Sequence, residues 1–432
     1  MAATLALLLA GGVLAPRAVA SPLDATRVTL DNGMRVVLAP DSFATTVDAS
    51  LWFAAGSRLE KPAQAGLSLL SARVAFRAGA DDPLASLRAR GGAGSLVVTP
   101  DYTNFSATVP PAALNEALAF LATRSTAGAT SNAALATERA ALRSERARPD
   151  RTPAARAIAR LWAASWPGHP YAQTGALPPA SMDALTIADV DAWRRTQLAP
   201  GSAVLVIAGA FDADSALAEV RRQFGSRARA RAVAPVAVTP RAGQRAQEKF
   251  DAPVRFCLVG WRGPGAGDPD AAALEMLGAW LGGSPEARLS RSLVDDWKLA
   301  VVAQAGFAAQ KDGSLLWTLV VVPPDADSSA VETTLLDAAG SVARTAPQAF
   351  DVERTRRQLE SGVLFALQAS RQRAQALGEA ELLSGDAAAA ARHIEALRRV
   401  TPADLQRVAA RVMTEPARAI VWMMPANTGG AR

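Results

Sequence analysis

Apolar positions along the chain switch between a period of two and a period of three to four, marking short strands and longer helices in mixed order. At 28–40, VTLDNGMRVVLAP sets two β-rich runs around Asp31-Asn32-Gly33, and Asn-Gly is a strong hairpin turn signal. A further strand is expected from Thr46 to Phe53. Residues 64–77 then take helical spacing, with Leu67, Leu70 and Val74 on one side. Ser95–Val98 and Asn104–Val109 are expected as strands around the Pro100-Asp101 turn. Helices are expected over 111–126, 131–147 and 153–163, a capped helix from Thr186, and a buried strand from Ala203 to Gly209.

The stretch 226–247 carries charge and proline without sustained periodicity, which marks a linker. Beyond it the pattern resumes: strand Val254–Trp261, helix Ala271–Leu281, strands Ala300–Ala308 and Leu315–Val322, and helices over 329–345 and 351–381. The two halves echo each other. Leu185-Thr186-Ile187-Ala188-Asp189-Val190 matches Val400-Thr401-Pro402-Ala403-Asp404-Leu405 at an offset of 215. Each match sets a threonine N-cap three residues before an aspartate and leads into an apolar strand, VLVIAGA or AIVWMMP. The repeat predicts a duplicated α+β unit: a domain at 24–225, a linker at 226–250 and a second domain at 251–427.

Composition narrows the function. Half of the 432 residues are apolar, enough for more than one core. The net charge of +6 is almost all arginine, and no basic run is interleaved with aromatics, which argues against nucleic-acid binding. The single cysteine, Cys257, rules out an internal disulfide and lies in the apolar run VRFCLVGW as a buried small hydrophobe. Leu5–Leu14 followed by Ala18-Val19-Ala20 reads as an export signal at 1–20, cleaved after Ala20, so a periplasmic location is expected. No segment is apolar enough to predict a membrane span.

Three motifs carry a resemblance. After the hairpin come WFAAGSRLE, then Gly66-Leu67-Ser68-Leu69-Leu70-Ser71-Ala72-Arg73-Val74-Ala75-Phe76, then Gly91-Gly92-Ala93-Gly94-Ser95-Leu96-Val97-Val98-Thr99-Pro100-Asp101-Tyr102-Thr103. In frame and length these resemble the pitrilysin/insulinase family of zinc peptidases, whose helix reads approximately G-L-A-H-x-L-E-H-M-x-F. The resemblance spans about residues 25 to 425 and implies two similar domains, each a mostly antiparallel sheet with helices on one face, forming a clamshell around a peptide.

It also identifies what is missing. Leu69 and Arg73 stand where the zinc histidines are expected, and Ala72 where the catalytic glutamate is expected. A catalytic zinc of this kind needs two imidazoles one helical turn apart and a carboxylate, with a glutamate to take the proton of its water. Leucine and alanine have no donor atoms, and arginine brings a fixed positive charge. The chain's only two histidines are His169 and His393, and no H-x-x-E-H occurs in any order. Glu138 and Glu145 keep the family's seven-residue spacing, the second being the third zinc-ligand position; a Glu145–Arg73 pair is one expectation, exposed charges on a solvated helix the commoner one. Relatives carry an arginine and a tyrosine in the second half that reach substrate, and Val294 and Val301 align with them.

The same resemblance makes Gly94, Ser95, Leu96, Val97 and Val98 the sheet edge that pairs with a peptide backbone, the alternative being a plain core strand. His169 is expected to be structural and His393 solvated. Gly263–Gly267 lacks the G-K-[ST] of a phosphate loop and reads as a strand-to-helix turn, and no G-x-S-x-G appears. No catalytic residue and no cofactor are therefore expected in this chain, zinc belonging to a partner. The leading expectation is a non-catalytic subunit paired with an HxxEH-bearing relative. The alternatives are a stand-alone peptide-binding or scaffold protein and a peptidase with an unrecognised site.

Overall fold

A computed structural model describes residues 23–78, 82–125, 128–147, 152–175, 179–226, 241–250 and 254–426. The export signal read at 1–20 and the linker residues 227–240 lie outside the described residues. The first half carries strands β1 (Thr26–Thr29), β2 (Arg35–Pro40), β3 (Val47–Phe53), β4 (Ala93–Val98), β5 (Thr103–Val109) and β6 (Val204–Gly209). Its helices are α1 (Leu67–Phe76), α2 (Ala85–Ala89), α3 (Leu114–Arg124), α4 (Asn132–Ala147), α5 (Pro153–Ser165), α6 (Ile187–Gln197) and α7 (Ala213–Phe224). The second half carries β7 (Arg245–Phe250), β8 (Arg255–Gly263), β9 (Val302–Ala309), β10 (Ser314–Val322) and β11 (Arg418–Pro425). Its helices are α8 (Ala271–Gly282), α9 (Arg288–Ser290), α10 (Ser328–Arg344), α11 (Ala349–Ala366), α12 (Ser370–Ser384), α13 (Ala389–Arg399) and α14 (Pro402–Val412).

The duplication is visible in the sheets. The first runs β1-β2-β6-β3-β5-β4 and the second β7-β11-β8-β10-β9, so removing β1 leaves one strand order twice. In both sheets the last strand in sequence pairs parallel with the first of the repeated unit, β6 on β2 and β11 on β7, while the other pairings are antiparallel. Thr186 and Thr401 each close a reciprocal capping box, with Asp189 and Asp404, before the helix that leads to that strand. The Asn-Gly hairpin also forms, with Gly33 at φ 91°, where a Cβ would be strained.

Each sheet packs its own half's helices on one face, as in the core where Leu51, Phe53 and Phe105 meet Leu70, Leu118 and Leu121. The other face is covered by a helix borrowed from the opposite half. α12 lays Ala374 and Leu377 on Trp52, Val204 and Val206 of the first sheet. α5 lays Leu161 and Trp162 on Leu258, Leu315 and Val421 of the second. Burial on both faces explains why β6 is an unbroken apolar run rather than an alternating one.

Two boundaries differ from the sequence reading. The helix expected over 351–381 is two, because the chain breaks at Leu367–Ala369 to carry α12 across to the first sheet. Residues 245–250, expected as linker, form β7, whose exposed Arg245, Gln247 and Lys249 alternate with half-buried residues.

Candidate functional site

Helix α1 is set in place by Glu60 of the SRLE turn. Its carboxylate accepts from the backbone N–H groups of Gly66 (2.8 Å) and Ser68 (2.7 Å), filling the role of an N-cap side chain. Leu67, Leu70 and Val74 then face the core, as their spacing predicts. The opposite side of α1 carries Leu69 and Arg73, one turn apart, toward α4.

The arginine faces two carboxylates. Arg73 Nη2 donates to Glu145 Oε1 at 2.5 Å, and Arg73 Nη1 lies 3.6 Å from Glu138 Oε2. Arg77, one turn further along α1, donates through Nε to Glu138 Oε1 at 2.5 Å. Glu138 is 5% exposed, so it is a buried carboxylate held by two guanidinium groups rather than a solvated surface charge. The expected Arg73–Glu145 pair is formed.

These residues do not fit a zinc ion. Leu69 offers carbon only, Ala72 is a fully buried methyl group, and the Arg73 guanidinium fills the space between the helices with a fixed cation. Glu145, the one ligand type retained, is occupied by Arg73. Among the described residues no group of three or more His, Cys, Asp and Glu side chains is placed to hold a metal ion.

Beside this cluster lies a cavity of about 330 Å³, lined by Leu69, Arg73, Phe76, Arg77, Pro83, Leu96, Val98 and Glu138. Leu96 and Val98 come from β4, which ends the sheet and, among the described residues, pairs with β5 alone. Gly94 shares their face, where a Cβ would meet Leu84 Cδ2 at 2.6 Å and require that side chain to shift. Ser95 and Val97 point to the other face, where the Ser95 hydroxyl meets Ser106 (2.7 Å) and accepts from Arg371 of α12 (3.0 Å). The expected edge strand is thus one wall of the cavity beside Arg73 and Glu138.

The turn after β4 is fixed by a buried ionic cluster that sequence reasoning missed. Arg58 of the G-S-R motif pairs with Asp101 at 3.0 Å and reaches Asp312 of the second half at 2.9 Å. Asp101 also accepts from Tyr171 Oη (2.9 Å) and from the Lys311 backbone N–H (2.8 Å). Burial pushes the Asp101 carboxyl above its usual range, against the pull of these donors. The family-like Arg58 and Asp101 were legible as motif residues, but nothing in the sequence indicated Asp312 as their partner.

The remaining candidates are structural. His169 is buried against Trp166 and Tyr171 and its Nδ1 accepts from the Tyr171 backbone N–H at 3.2 Å. Burial lowers its pKa, which keeps the ring neutral. His393 was expected to be solvated; its side chain is 40% exposed and also lies 2.6 Å from Glu275 of α8, and that hydrogen bond raises its pKa. Cys257 is fully buried, its thiol pushed up by loss of solvent. Gly263–Gly267 joins β8 to α8 as a turn. Val294 and Val301, distant from the first-half site in sequence, line one cavity of about 350 Å³ with Gly282 and Gly283.

The sequence matches the profile of insulinase (peptidase family M16) over residues 35–178 and that of the peptidase M16 inactive domain over residues 184–359. It is 25% identical over 404 residues to an uncharacterized zinc protease of Mycobacterium tuberculosis, covering 91% of this chain and 92% of that protein. An uncharacterized zinc protease of Mycobacterium bovis matches to the same extent. Among solved structures, a protease from Helicobacter pylori superposes with a TM-score of 0.85 at 18% identity, over 93% of this chain and 99% of that one. A peptidase M16 inactive domain from Pseudomonas fluorescens gives 0.83 at 17% identity, over 94% and 98%. A chain of Complex III2 from Candida albicans gives 0.81 at 15% identity, over 92% and 95%. The two profiles together span more than half of the sequence, and the chain belongs to the insulinase (M16) peptidase family, as a member whose sequence contains no H-x-x-E-H.

Proposed function

We propose that this chain is the non-catalytic half of an exported two-chain peptidase, holding peptide substrate for a zinc-bearing relative that cuts it. The observation that carries the reading is the contrast at one site. The two histidine positions hold Leu69 and Arg73, with Arg73 tying up Glu145, while β4 beside them keeps an edge with no charged residue. An edge without charge or proline is a template for an added strand, which proteins otherwise protect against. The Ala18-Val19-Ala20 signal supports export to the periplasm. Zinc then belongs to the partner, and nucleic acid has no part in the reading.

Affinity capture of the tagged chain from its own cells, with peptidase assay of the eluate with and without a zinc chelator, tests the pairing. Recovery of an HxxEH-bearing relative with chelator-sensitive cleavage is the expected result. Recovery of the chain alone, inert on peptides, sinks the pairing and leaves a stand-alone peptide-holding or scaffold role. That second reading is favoured by one observation: Val294 and Val301 stand where an arginine and a tyrosine would contact substrate, and Val301 is exposed.

A further inference from the structure

A polar cavity lies on the other face of the first sheet, away from α1. Strand alternation sends Leu51 of β3 and Phe105 of β5 into the core of the first half. It sends Asp48, Ser50, Asn104 and Ser106 to the opposite face, toward α12. All four are buried. Ser50 stands opposite Ser106 in the register, with Asp48 and Asn104 on either side of that pair. With Arg371 and Gln375 of α12 they line a cavity of about 30 Å³, room for one water-sized group. Arg371 and Gln375 are exposed and form its outer side.

One atom facing this cavity lacks a partner. Asp48 is 1% exposed; its Oδ2 accepts from the Thr108 hydroxyl at 2.6 Å, and its Oδ1 accepts no hydrogen bond. A buried carboxylate oxygen left this way is costly to the fold. Arg371 does not relieve it, since its Nη2 donates to Ser95 at 3.0 Å and no ion pair joins it to Asp48 among the described residues. Further acceptors stand beside Oδ1. Ser50 Oγ accepts from Trp52 Nε1 at 3.0 Å and keeps a second lone pair. The Asn104 amide nitrogen donates to the Leu51 carbonyl at 3.4 Å, which leaves its carbonyl oxygen for another donor. A set of acceptors around one carboxylate matches a primary ammonium, which has three N–H donors, no acceptor and a single charge. A divalent cation is disfavoured, because the cavity offers one carboxylate and also holds the Arg371 guanidinium.

We propose that this cavity takes a primary ammonium group carried next to a carbonyl or carboxylate, as at the amino end of a peptide or in a free amino acid. The ammonium donates to Asp48 Oδ1 and to the hydroxyl and amide oxygens beside it. Arg371, at the outer side, donates to the oxygen that follows the amine. A carboxylate whose burial costs stability thereby has a use. The inference stands on this cavity alone and does not depend on the reading of β4.

The test is fluorescence anisotropy of the purified full chain with the peptide Ala-Gly-Gly, labelled at its C-terminus, against the same peptide N-acetylated. The free-amine peptide is expected to bind about tenfold or more tighter, since acetylation removes a charged hydrogen bond to a buried carboxylate. Asp48→Asn keeps the shape of the side chain and should erase that difference while leaving the acetylated peptide unaffected. Arg371→Ala, a change at an exposed position, should weaken the free-amine peptide several-fold without abolishing its advantage. Unlabelled alanine separates the two sources. Displacement of the labelled peptide by alanine assigns the site to free amino acids, and displacement by unlabelled Ala-Gly-Gly alone assigns it to peptides.

Equal binding of the free and acetylated peptides overturns the proposal, as does an advantage that survives Asp48→Asn. Failure of the free-amine peptide to bind also overturns it and leaves the cavity to a buried water. None of these outcomes touches the β4 reading, because a strand added to that edge is held by its backbone and not by its amino end.

Discussion

Arg73 and Glu145 meet at 2.5 Å across the α1–α4 interface, at two of the positions where a zinc peptidase of this family would hold its metal. A metal holds its ligands by coordination; here a guanidinium holds Glu145 directly and shares Glu138 with Arg77.

Removing the bridge should have a modest effect, because the Arg73 and Glu145 side chains are 26% and 41% exposed. Arg73→Ala is expected to lower Tm by about 1 °C, as befits a partly solvated pair in a protein of this size. An unchanged Tm by calorimetry argues that the pair holds nothing.

The scaffold geometry predicts a recoverable metal site. Leu69→His with Arg73→His places two imidazoles one turn apart on α1 and releases Glu145 as a third ligand. Isothermal titration should show one zinc per double variant and none for the wild type. A double variant that folds and ignores zinc contradicts the placement of these three residues.

The buried cluster that joins the halves should matter far more. Arg58 and Asp101 are 5% and 6% exposed, and removing one partner strands the other charge. Arg58→Ala is expected to cost about 3–5 kcal/mol in chemical denaturation. Asp312→Asn, at a side chain 42% exposed, should cost under about 1 kcal/mol. Equal effects of the two would show that the cluster is not organised around Asp101.

A pH dependence follows from Asp48, buried between the first sheet and α12. Loss of solvent pushes its carboxyl up to about 6 from 3.8, opposed by the Thr108 hydroxyl and by Arg371. Between about pH 4 and 6 the folded chain binds a proton that the unfolded chain releases, so stability falls as pH rises through that window. Asp48→Asn removes the ionisation and should be more stable than wild type by about 3 kcal/mol at pH 8, with the gap closing near pH 4. Parallel unfolding curves of the two proteins across this range would contradict it.

Local chemistry was legible in the sequence, and exchange between the halves was not. The Asn32-Gly33 turn, the Thr186 and Thr401 capping boxes and the apolar face of α1 follow from short-range rules that the fold obeys. So does the substituted metal helix, since Leu69 and Ala72 lack donor atoms in any fold. The break at Leu367–Ala369 carries no proline or glycine; the packing of α12 on the opposite half's sheet imposes it. β7 was hidden because a charged edge strand looks like a polar linker. The Arg58–Asp101–Asp312 cluster joins residues more than two hundred positions apart, a distance over which no local pattern carries information.

The central claim, a family member that holds peptide without a metal to cut it, is tested most directly on the purified chain alone. The protein is equilibrated with zinc, freed of excess, assayed for metal by elemental analysis and incubated with an unstructured peptide of uncharged residues that binds it, whose mass is then followed. Far less than one zinc per chain, with the peptide bound and intact, is the predicted result. A full equivalent of zinc with cleavage that a chelator abolishes would contradict the account.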